Sequence, residues 1–247
     1  MTSTCRKTIE RTFHSFFKYV SCDEKFRFIV HIDVLNPRYL PDLMDFLKKT
    51  SESYGVDIIH KVNSNPSANY YEAHSRAVGY LFSCIESLHY FHLEDDWIFL
   101  KKIDLNPLIV LMKKYPYIDH IRFSKKNIPE RSWLYHISDV VSEEFLIPNK
   151  EVIIDDITLV ELPLWSFNPH LGRTSVVKHF TDLPIRENPE KYICHKYSHF
   201  AENGKIYMYG RIGDGASVRD IGRNRLRQKI RKLKYILKGG KYAEYIF

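Results

Sequence analysis

Strand-like and helix-like segments alternate along residues 1–125, and this alternation constrains the fold more than any other feature of the chain. Residues 26–33 have the clearest strand pattern, and residues 39–54 and 70–88 place apolar side chains at helical spacing. Such alternation is typical of a mostly parallel central sheet with helices on both faces. We therefore expect an α/β fold in a single domain.

Three consecutive acids, Glu94, Asp95 and Asp96, follow the short apolar run at residues 88–93. In open α/β sheets ligands bind at the carboxyl ends of the strands. Crowded carboxylates repel one another, and removal from water makes their charged forms costlier. A divalent cation relieves that conflict, and oxygen ligands suit Mg²⁺ or Mn²⁺. The alternative is an acidic turn with solvated side chains, and the triplet alone leaves both interpretations open.

The positive charge of the chain is concentrated near its end. The net charge is +7, but residues 223–241 hold nine basic residues and no acidic one, which leaves 28 basic against 30 acidic residues elsewhere. The chain outside residues 223–241 has no surplus of basic residues, which argues against nucleic-acid binding. We therefore expect no nucleic-acid partner. The four cysteines form no CxxC pair, no secretory signal is recognisable and no apolar run reaches the length of a membrane span. These features predict a cytoplasmic protein.

The segment 223–247 has the pattern of a basic amphipathic helix. Leu226, Ile230, Leu233 and Leu237 recur at helical spacing, with lysine and arginine on the other faces. Such a helix can dock peripherally on an anionic membrane surface. It can equally pack its apolar stripe on the protein core, and both options stay open.

Two acidic strand ends in an alternating β/α half resemble the GT-A glycosyltransferases, especially the family 2-like enzymes. The opening Thr4-Cys5-Arg6 resembles the family's first strand-to-helix segment, and Asp33 stands where the family contacts the nucleotide base. Arg76 matches an arginine that precedes the acidic motif, and residues 93–97 match the metal-binding D-x-D-type motif. The resemblance implies donor binding by Thr4, Arg6, Asp33, Arg76, Glu94 and Asp95, and metal binding by Asp96 and Asp95.

The second half of the chain resembles the family's acceptor half. Trp165 and Asn168 lie in a segment that corresponds to one facing the transferred sugar, and Glu187 stands where the family places its catalytic base. Asp220 replaces a metal-binding histidine, which implies a third metal ligand. The resemblance thus divides residues 1–222 into a nucleotide-binding half, 1–125, and an acceptor half, 126–222.

The resemblance implies sugar transfer from a nucleoside-diphosphate donor to a glycan, lipid-linked or protein acceptor. The usual donors of the family make a UDP-linked sugar the expected one. A metal ion would neutralise the leaving diphosphate, and Glu187 would take the proton of the acceptor hydroxyl. Direct displacement with one base inverts the anomeric centre. Should Glu187 be only a surface acid, the next candidates for the base are Asp155, Asp156 and Asp214.

Two other functions remain open from the sequence. One is a module whose basic tail binds nucleic acid or anionic surfaces, against which the charge of the body argues. The other is a metal-dependent nucleotidyltransferase, which also needs clustered carboxylates. That enzyme class normally has a glycine-rich or lysine-rich phosphate loop near its first strand, and the sequence shows none there.

Overall fold

The computed structural model describes residues 1–134, 145–200 and 203–222, which form six α-helices and fifteen strands. The helices are α1 (Thr8–Tyr19), α2 (Leu40–Tyr54), α3 (Tyr70–Ser83), α4 (Asn106–Lys114), α5 (Thr174–Val177) and α6 (Pro189–Phe200). The strands of the first half are β1 (Thr2–Ser3), β2 (Val20–Ser21), β3 (Arg27–Asp33), β4 (Asp57–Asn63), β5 (His89–His92), β6 (Trp97–Phe99), β7 (Ile103–Asp104) and β8 (Ile118–Arg122). Those of the second half are β9 (Arg131–Leu134), β10 (Phe145–Pro148), β11 (Lys150–Ile154), β12 (Ile157–Leu162), β13 (His170–Arg173), β14 (Lys205–Tyr209) and β15 (Val218–Asp220).

The first half of the chain builds a parallel sheet in the order β1-β3-β4. β4 pairs with β3 along its whole length, whereas β1 pairs only opposite His31 and Ile32. On its other side β1 forms a parallel bridge between Thr2 and Glu94, just past the end of β5. β1 therefore joins the parallel strands to the rest of the structure. It also brings the loop that follows it, residues 4–7 (the first loop), beside Glu94, Asp95 and Asp96 (the acidic triplet).

The second half adds strands to a six-stranded sheet of order β11-β12-β14-β8-β13-β5. β14 and β8 run parallel, while β13 lies between β5 and β8 and runs antiparallel to both. β11 and β12 form a hairpin whose turn, Asp155-Asp156, has φ of 47° and 65°. So short a connection permits only antiparallel pairing. The single mixed α/β domain is as expected, with parallel pairing prevailing in the first half and antiparallel pairing in the second.

The larger of two clusters of buried side chains gathers around α1. Ile9, Phe13 and Phe16 are almost fully buried, and their spacing of four and three residues puts them on one helix face. Each such side chain contributes roughly 1.5–3 kcal/mol of burial. The second cluster includes Val78 and Phe82 of α3 and packs against α6. α1 and α3 are thereby fixed on the sheet, with their amino ends near the acidic triplet.

Several element boundaries differ from those predicted. α3 ends at Ser83 rather than at residue 88, and Leu88 is 74% exposed, so no core contact extends the helix that far. Residues 160–167 also have a strand pattern in the sequence, but β12 ends before Pro163, a residue without a backbone N–H for the ladder. The strand pattern of residues 205–212 is likewise cut short, because β14 ends before Gly210, whose φ of 114° breaks the extended conformation.

Among the described helices, none is both long enough and apolar enough to cross a bilayer. The predicted amphipathic helix at residues 223–247 lies outside the described residues. Its packing, and the boundary at residue 222, stay predictions.

Candidate functional site

Asp95 fastens the first loop to the end of β5. Its side chain is 4% exposed, and its Oδ2 accepts hydrogen bonds from the Ser3 hydroxyl and the Thr4 backbone N–H, each at 2.9 Å. Its Oδ1 lies 3.3 Å from the Arg6 guanidinium, while burial raises the pKa of the carboxyl. Both oxygens thus have partners, and the structure brings the predicted donor-binding residues Thr4 and Arg6 to the acidic triplet.

The backbone of the first loop turns sharply at Cys5, which has a φ of 57°. A residue with a β-carbon in this left-handed region costs about 1 kcal/mol or more, so surrounding contacts must hold it. The Ser3 hydroxyl accepts the Cys5 N–H at 3.2 Å, and the Cys5 thiol lies 3.4 Å from the Asn36 carbonyl oxygen. These contacts stabilise the turn that directs the Thr4 N–H toward Asp95.

Asp96 carries negative charge that its surroundings do not balance. Burial, followed by repulsion from Glu94, Asp95 and Asp220, raises its pKa to about 7, and Arg6 offsets only part of this. The Arg6 guanidinium lies 3.7 Å from Asp96 Oδ2, and 21% of the Asp96 side chain is exposed. A cation bound here would favour the charged carboxylate, because an opposite charge lowers the pKa of an acid.

β15 brings Asp220 beside Asp96. It pairs with β6 so that Asp220 lies opposite Trp97, and the Ile221 N–H donates to the Asp96 carbonyl at 2.7 Å. Gly222 approaches so closely that a β-carbon there would stand 1.9 Å from Asp96 Oδ2. This approach requires glycine, and it places together two carboxylates that the sequence assigned to one metal.

Asp96 and Asp220 fit a Mg²⁺ or Mn²⁺ ion that also binds a phosphate ligand. Within residues 1–134, 145–200 and 203–222, no three side chains of metal-binding type converge on one point. Mg²⁺ is usually held by one or two carboxylates together with substrate phosphates, so a full protein cage is not needed. The surplus negative charge around Asp96 is the observation that fits a cation.

Glu94 faces α3, and the side chain of Tyr70 at the start of that helix lies near the acids. Glu94 Oε1 lies 3.4 Å from His74 Nε2. Tyr70, at the start of α3, is 65% exposed, yet its hydroxyl is desolvated and near Glu94, Asp96 and Glu190, which raises its pKa to about 12. A neutral phenol at this edge can donate a hydrogen bond to a ligand and offer its ring face. No pattern in the sequence pointed to Tyr70.

Asp33 lies at the same edge, whereas Arg76 is directed elsewhere. Asp33 ends β3, as predicted, and its Oδ1 accepts a hydrogen bond from the Asn63 side chain at 2.8 Å. Arg76 is 66% exposed and forms an ion pair with Glu72, one helical turn earlier, at 2.7 Å. The structure therefore places Asp33 with the predicted site, while donor binding by Arg76 stays a prediction.

The acceptor-side residues lie in and beside the second core cluster. Trp165 is buried, and its ring packs against His120 and Phe167. The backbone carbonyl of Asn168 lies 2.8 Å from His170 Nδ1. Trp165 thus has a packing role in this structure, and contact with a sugar stays a prediction.

Glu190, rather than the predicted base Glu187, contacts the acceptor-side segment. Glu190 Oε1 accepts the Phe167 N–H at 2.8 Å. Asn188 Oδ1 accepts the Glu190 N–H at 2.9 Å and caps the start of α6, while Glu187 lies half-buried on the preceding loop. The sequence signal for Glu190 was its position just after Asn188-Pro189, where a helix start fixes the direction of the side chain.

Three buried imidazoles stack beneath this edge. The ring centroid of His170 lies 3.9 Å from that of His120 and 5.0 Å from that of His92. Burial lowers the pKa of all three, that of His170 to about 3, so they are neutral at pH 7. The Tyr90 hydroxyl lies 2.9 Å from His170 Nε2. We refer to His92, His120 and His170 as the imidazole cluster; no sequence spacing predicted it, because β5, β8 and β13 meet only in the folded sheet.

The parallel β1-β3-β4 unit, the acids past β5 and the antiparallel β13 together define a GT-A-like α/β fold. Among solved structures, the chain is similar to the S. aureus glycosyltransferase TarS (residues 1–349), with a TM-score of 0.55 and 14% identity over 89% of this chain and 58% of that one. It is also similar to the glycosyltransferase GalNAc-T7, solved with UDP, GalNAc and Mn²⁺, with a TM-score of 0.56 and 13% identity over 85% of this chain and 42% of that one.

At these identities the similarity shows the fold alone, and the chain spans about half the length of the structures it matches. No protein-family profile matches the sequence, and no curated protein matches it either.

Proposed function

We propose that the protein is a metal-dependent, family 2-like glycosyltransferase that moves a sugar from a UDP-linked donor to an acceptor hydroxyl. The observation that carries this proposal is the arrangement of acids at the carboxyl edge of a GT-A-like sheet: the pairing of β15 with β6 sets Asp220 beside Asp96, and burial with three neighbouring carboxylates raises the pKa of Asp96 to about 7. A divalent cation with a diphosphate would use that surplus charge. The similarity to GalNAc-T7, solved with UDP and Mn²⁺, supports the same ligands.

In this proposal Asp96 and Asp220 hold the metal ion, which when bound neutralises the charge that develops on the leaving diphosphate. Asp95, predicted as a further ligand, has both oxygens engaged by the first loop and therefore sets the position of Thr4 and Arg6. In the same proposal the half-exposed Arg6 guanidinium pairs with a donor phosphate.

The remaining contacts divide between the nucleotide and the acceptor. Asp33 at the end of β3 would bind the base, and Arg76 would need to leave Glu72 to reach the donor. Tyr70 offers an exposed ring beside the acids, which suits the face of a sugar. The acceptor, a glycan or a lipid-linked or protein substrate, would enter past the segment that contains Trp165 and Asn168.

A panel of nucleotide sugars tests the function. With Mn²⁺, at least one UDP-sugar is expected to be hydrolysed or transferred with release of UDP, and EDTA is expected to stop it. A metal-dependent nucleotidyltransferase would instead release pyrophosphate from a nucleoside triphosphate and a sugar phosphate. Pyrophosphate release without any nucleoside-diphosphate release would refute the glycosyltransferase proposal.

The base is tested with two near-isosteric variants, Glu187→Gln and Glu190→Gln. The glutamine that replaces the base cannot accept the acceptor proton, so turnover is expected to fall by about 100-fold while UDP affinity stays near wild type. Glu187 is the predicted base, and Glu190 is its competitor because it contacts Phe167. Each variant is the matched control of the other. Near-full transfer by Glu187→Gln alongside a large loss in Glu190→Gln would move the role to Glu190, and inversion at the sugar would follow in either case.

We also propose that the protein is cytoplasmic and that residues 223–247 mediate peripheral contact with an anionic membrane or a charged acceptor carrier. Nine basic residues near an anionic leaflet add about 1 kcal/mol each at low salt. Truncation before Arg223 is therefore expected to abolish sedimentation with phosphatidylserine vesicles while leaving the melting temperature unchanged. A large drop in melting temperature, with no vesicle binding by the intact chain, would show that the stripe packs on the core.

A further inference from the structure

Arg122 is a cation without a close counter-ion at the carboxyl edge of the sheet. It ends β8, and its Nη1 donates to the Ser166 hydroxyl oxygen at 3.2 Å. Its Nε is buried without a hydrogen-bond partner, and no carboxylate within the described part of the chain forms an ion pair with it. The neighbouring acid Glu190 instead accepts the Phe167 N–H at 2.8 Å. Charges that are removed from water are normally paired, so this guanidinium is suited to an anionic ligand.

The surroundings of Arg122 keep water away but leave the side chain accessible. Desolvation lowers its pKa to about 10, and Glu190 and Cys194 offset part of that effect, so the group is charged at pH 7. β8 is paired with β13 on one side and with β14 on the other, which covers its backbone. The surface that Arg122 keeps exposed therefore belongs to its side chain. An ion pair formed in so poorly hydrated a position is stronger than one at an open surface.

The Ser166 hydroxyl is a second hydrogen-bond donor beside the guanidinium. Its oxygen accepts from Arg122 and, at 3.4 Å, from the Asn168 N–H. Both contacts use the oxygen as the acceptor, which leaves the hydroxyl hydrogen to donate. A carboxylate beside Arg122 would thus receive two N–H bonds from the planar guanidinium or share its oxygens between Arg122 and Ser166. Such charge-assisted bonds are about twice as strong as neutral ones.

The sheet places Arg122 beside the acidic triplet. His170 of β13 pairs with His92 on one side and with Arg122 on the other, so these three side chains share one face of the sheet. Because β13 is antiparallel to both β5 and β8, the carboxyl ends of β5 and β8 lie at the same edge. Two strand spacings, about 9.6 Å, separate their backbones. The acidic triplet follows β5 at this edge, and Arg122 ends β8 there.

The electrostatic neighbours separate Arg122 from the candidate metal site. Arg6 is the cation that lowers the pKa of Asp96. Tyr70 lies near both Asp96 and Glu190, and Glu190 lies near Arg122. The order along the edge is therefore Asp96, Tyr70, Glu190 and Arg122. In the proposed function the diphosphate lies with the metal ion at Asp96, so Arg122 serves a different anion, on the far side of Tyr70.

We propose that Arg122 and Ser166 select a sugar that carries a carboxylate, that is, a uronic acid. This inference rests on the proposed glycosyl transfer and names the substrate class of the same site. A neutral sugar, with a hydroxymethyl group where the uronic acid has its carboxylate, would leave the guanidinium desolvated and unpaired and would bind more weakly. The donor brings one sugar to this edge and a glycan acceptor brings another, so the carboxylate has two possible carriers.

Calorimetry in Mn²⁺ tests the donor with two matched pairs, UDP-glucuronate against UDP-glucose and UDP-galacturonate against UDP-galactose. In at least one pair the wild type is expected to bind the uronate roughly 10- to 100-fold more tightly. Arg122→Gln is expected to remove this preference while its affinity for UDP alone stays near wild type. Ser166→Ala should reduce the preference by a smaller factor, about 3-fold. Arg11→Gln, at an exposed position of α1, is the matched control and should keep the full preference.

The acceptor is tested by titrating methyl glucuronide or methyl glucoside into protein that is saturated with UDP and Mn²⁺. Tighter binding of the glucuronide by the wild type, lost in Arg122→Gln, would place the carboxylate on the acceptor. A preference among the donors alone would place it on the transferred sugar. Either result supports selection of a uronic acid by Arg122.

Two results would overturn this inference and leave the proposed function standing, because metal-dependent binding of UDP is measured separately. One is the same affinity for uronates and neutral sugars in both experiments, and the other is a uronate preference that persists in Arg122→Gln. Should Arg122→Gln fail to fold, as shown by loss of UDP binding, an unchanged preference in Ser166→Ala would overturn the inference instead. A wild type that binds UDP equally with and without Mn²⁺ would refute the proposed function, and the inference with it.

Discussion

Replacement of Asp96 by asparagine is expected to abolish metal-dependent UDP binding and, without metal, to stabilise the fold. Asp96 would hold the metal ion whose positive charge offsets that of the diphosphate, so its loss should weaken UDP binding in Mn²⁺ by about 1000-fold. The folded pKa of Asp96 is raised to about 7, so the acid costs stability that grows as the pH rises from about 4 and is complete above about 7. The variant should therefore gain up to roughly 4 kcal/mol at pH 8, and the gain should vanish below about pH 4, where the wild-type acid is also neutral.

Calorimetry with UDP in Mn²⁺ and in EDTA measures the first effect, and urea unfolding at pH 8 and pH 4 measures the second. Asp182→Asn is a suitable control, because Asp182 is an exposed acid far along the chain from the triplet. Equal UDP affinity of the wild type in Mn²⁺ and in EDTA would refute the metal site. A stability gain without any change in UDP binding would mean that the Asp96 carboxylate costs stability but takes no part in UDP binding.

Acid is expected to unfold the protein through the imidazole cluster. The folded pKa values of His92, His120 and His170 lie below the unfolded value of about 6.5, that of His170 at about 3. Because the unfolded chain binds these protons first, stability is fully present above about pH 6.5 and is lost as the pH falls. At pH 5 the His170 imidazole should cost about 2 kcal/mol relative to pH 7.5, and His92 and His120 should add to that loss.

Urea unfolding of the wild type and of His120→Leu at pH 7.5, 6 and 5 checks this expectation. Both ring nitrogens of His120 lack a hydrogen-bond partner among the described residues, so leucine removes a titrating group and two desolvated polar atoms. The variant should lose less stability between pH 7.5 and pH 5 than the wild type. His60→Asn, at an exposed position of β4, should follow the wild-type curve. Parallel curves for all three proteins would assign acid unfolding to other groups.

The fold was predictable where local patterns match the final environment. α2 and β3 have apolar spacings that agree with their buried faces, and their bounds fall within a residue or two of the prediction. The antiparallel insertion of β13 was not predictable, because residues 170–173 carry no strand pattern of their own. Their pairing with β5 and β8 depends on tertiary contacts that a single sequence does not encode locally.

The site was predictable where acids end strands, and less so where contacts join distant loops. Glu94, Asp95 and Asp96 stand out in the sequence because apolar residues surround them. The engagement of Asp95 by Ser3 and Thr4 could not be foreseen, since it separates a loop anchor from a metal ligand within one acidic run. Tyr70 and Glu190 were missed for a related reason: each begins a helix, and only the orientation of that helix brings it toward the acids.

The pairing of β15 with β6 makes the order of synthesis matter. The first loop leaves the ribosome at the beginning, the acidic triplet follows about ninety residues later, and Asp220 and Gly222 follow more than a hundred residues after that. A nascent or prematurely terminated chain that stops before residue 218 can carry the triplet but lacks its partner carboxylate and the glycine beside it. The pair of carboxylates at this edge of the sheet is thus complete only after residue 222 has been synthesised.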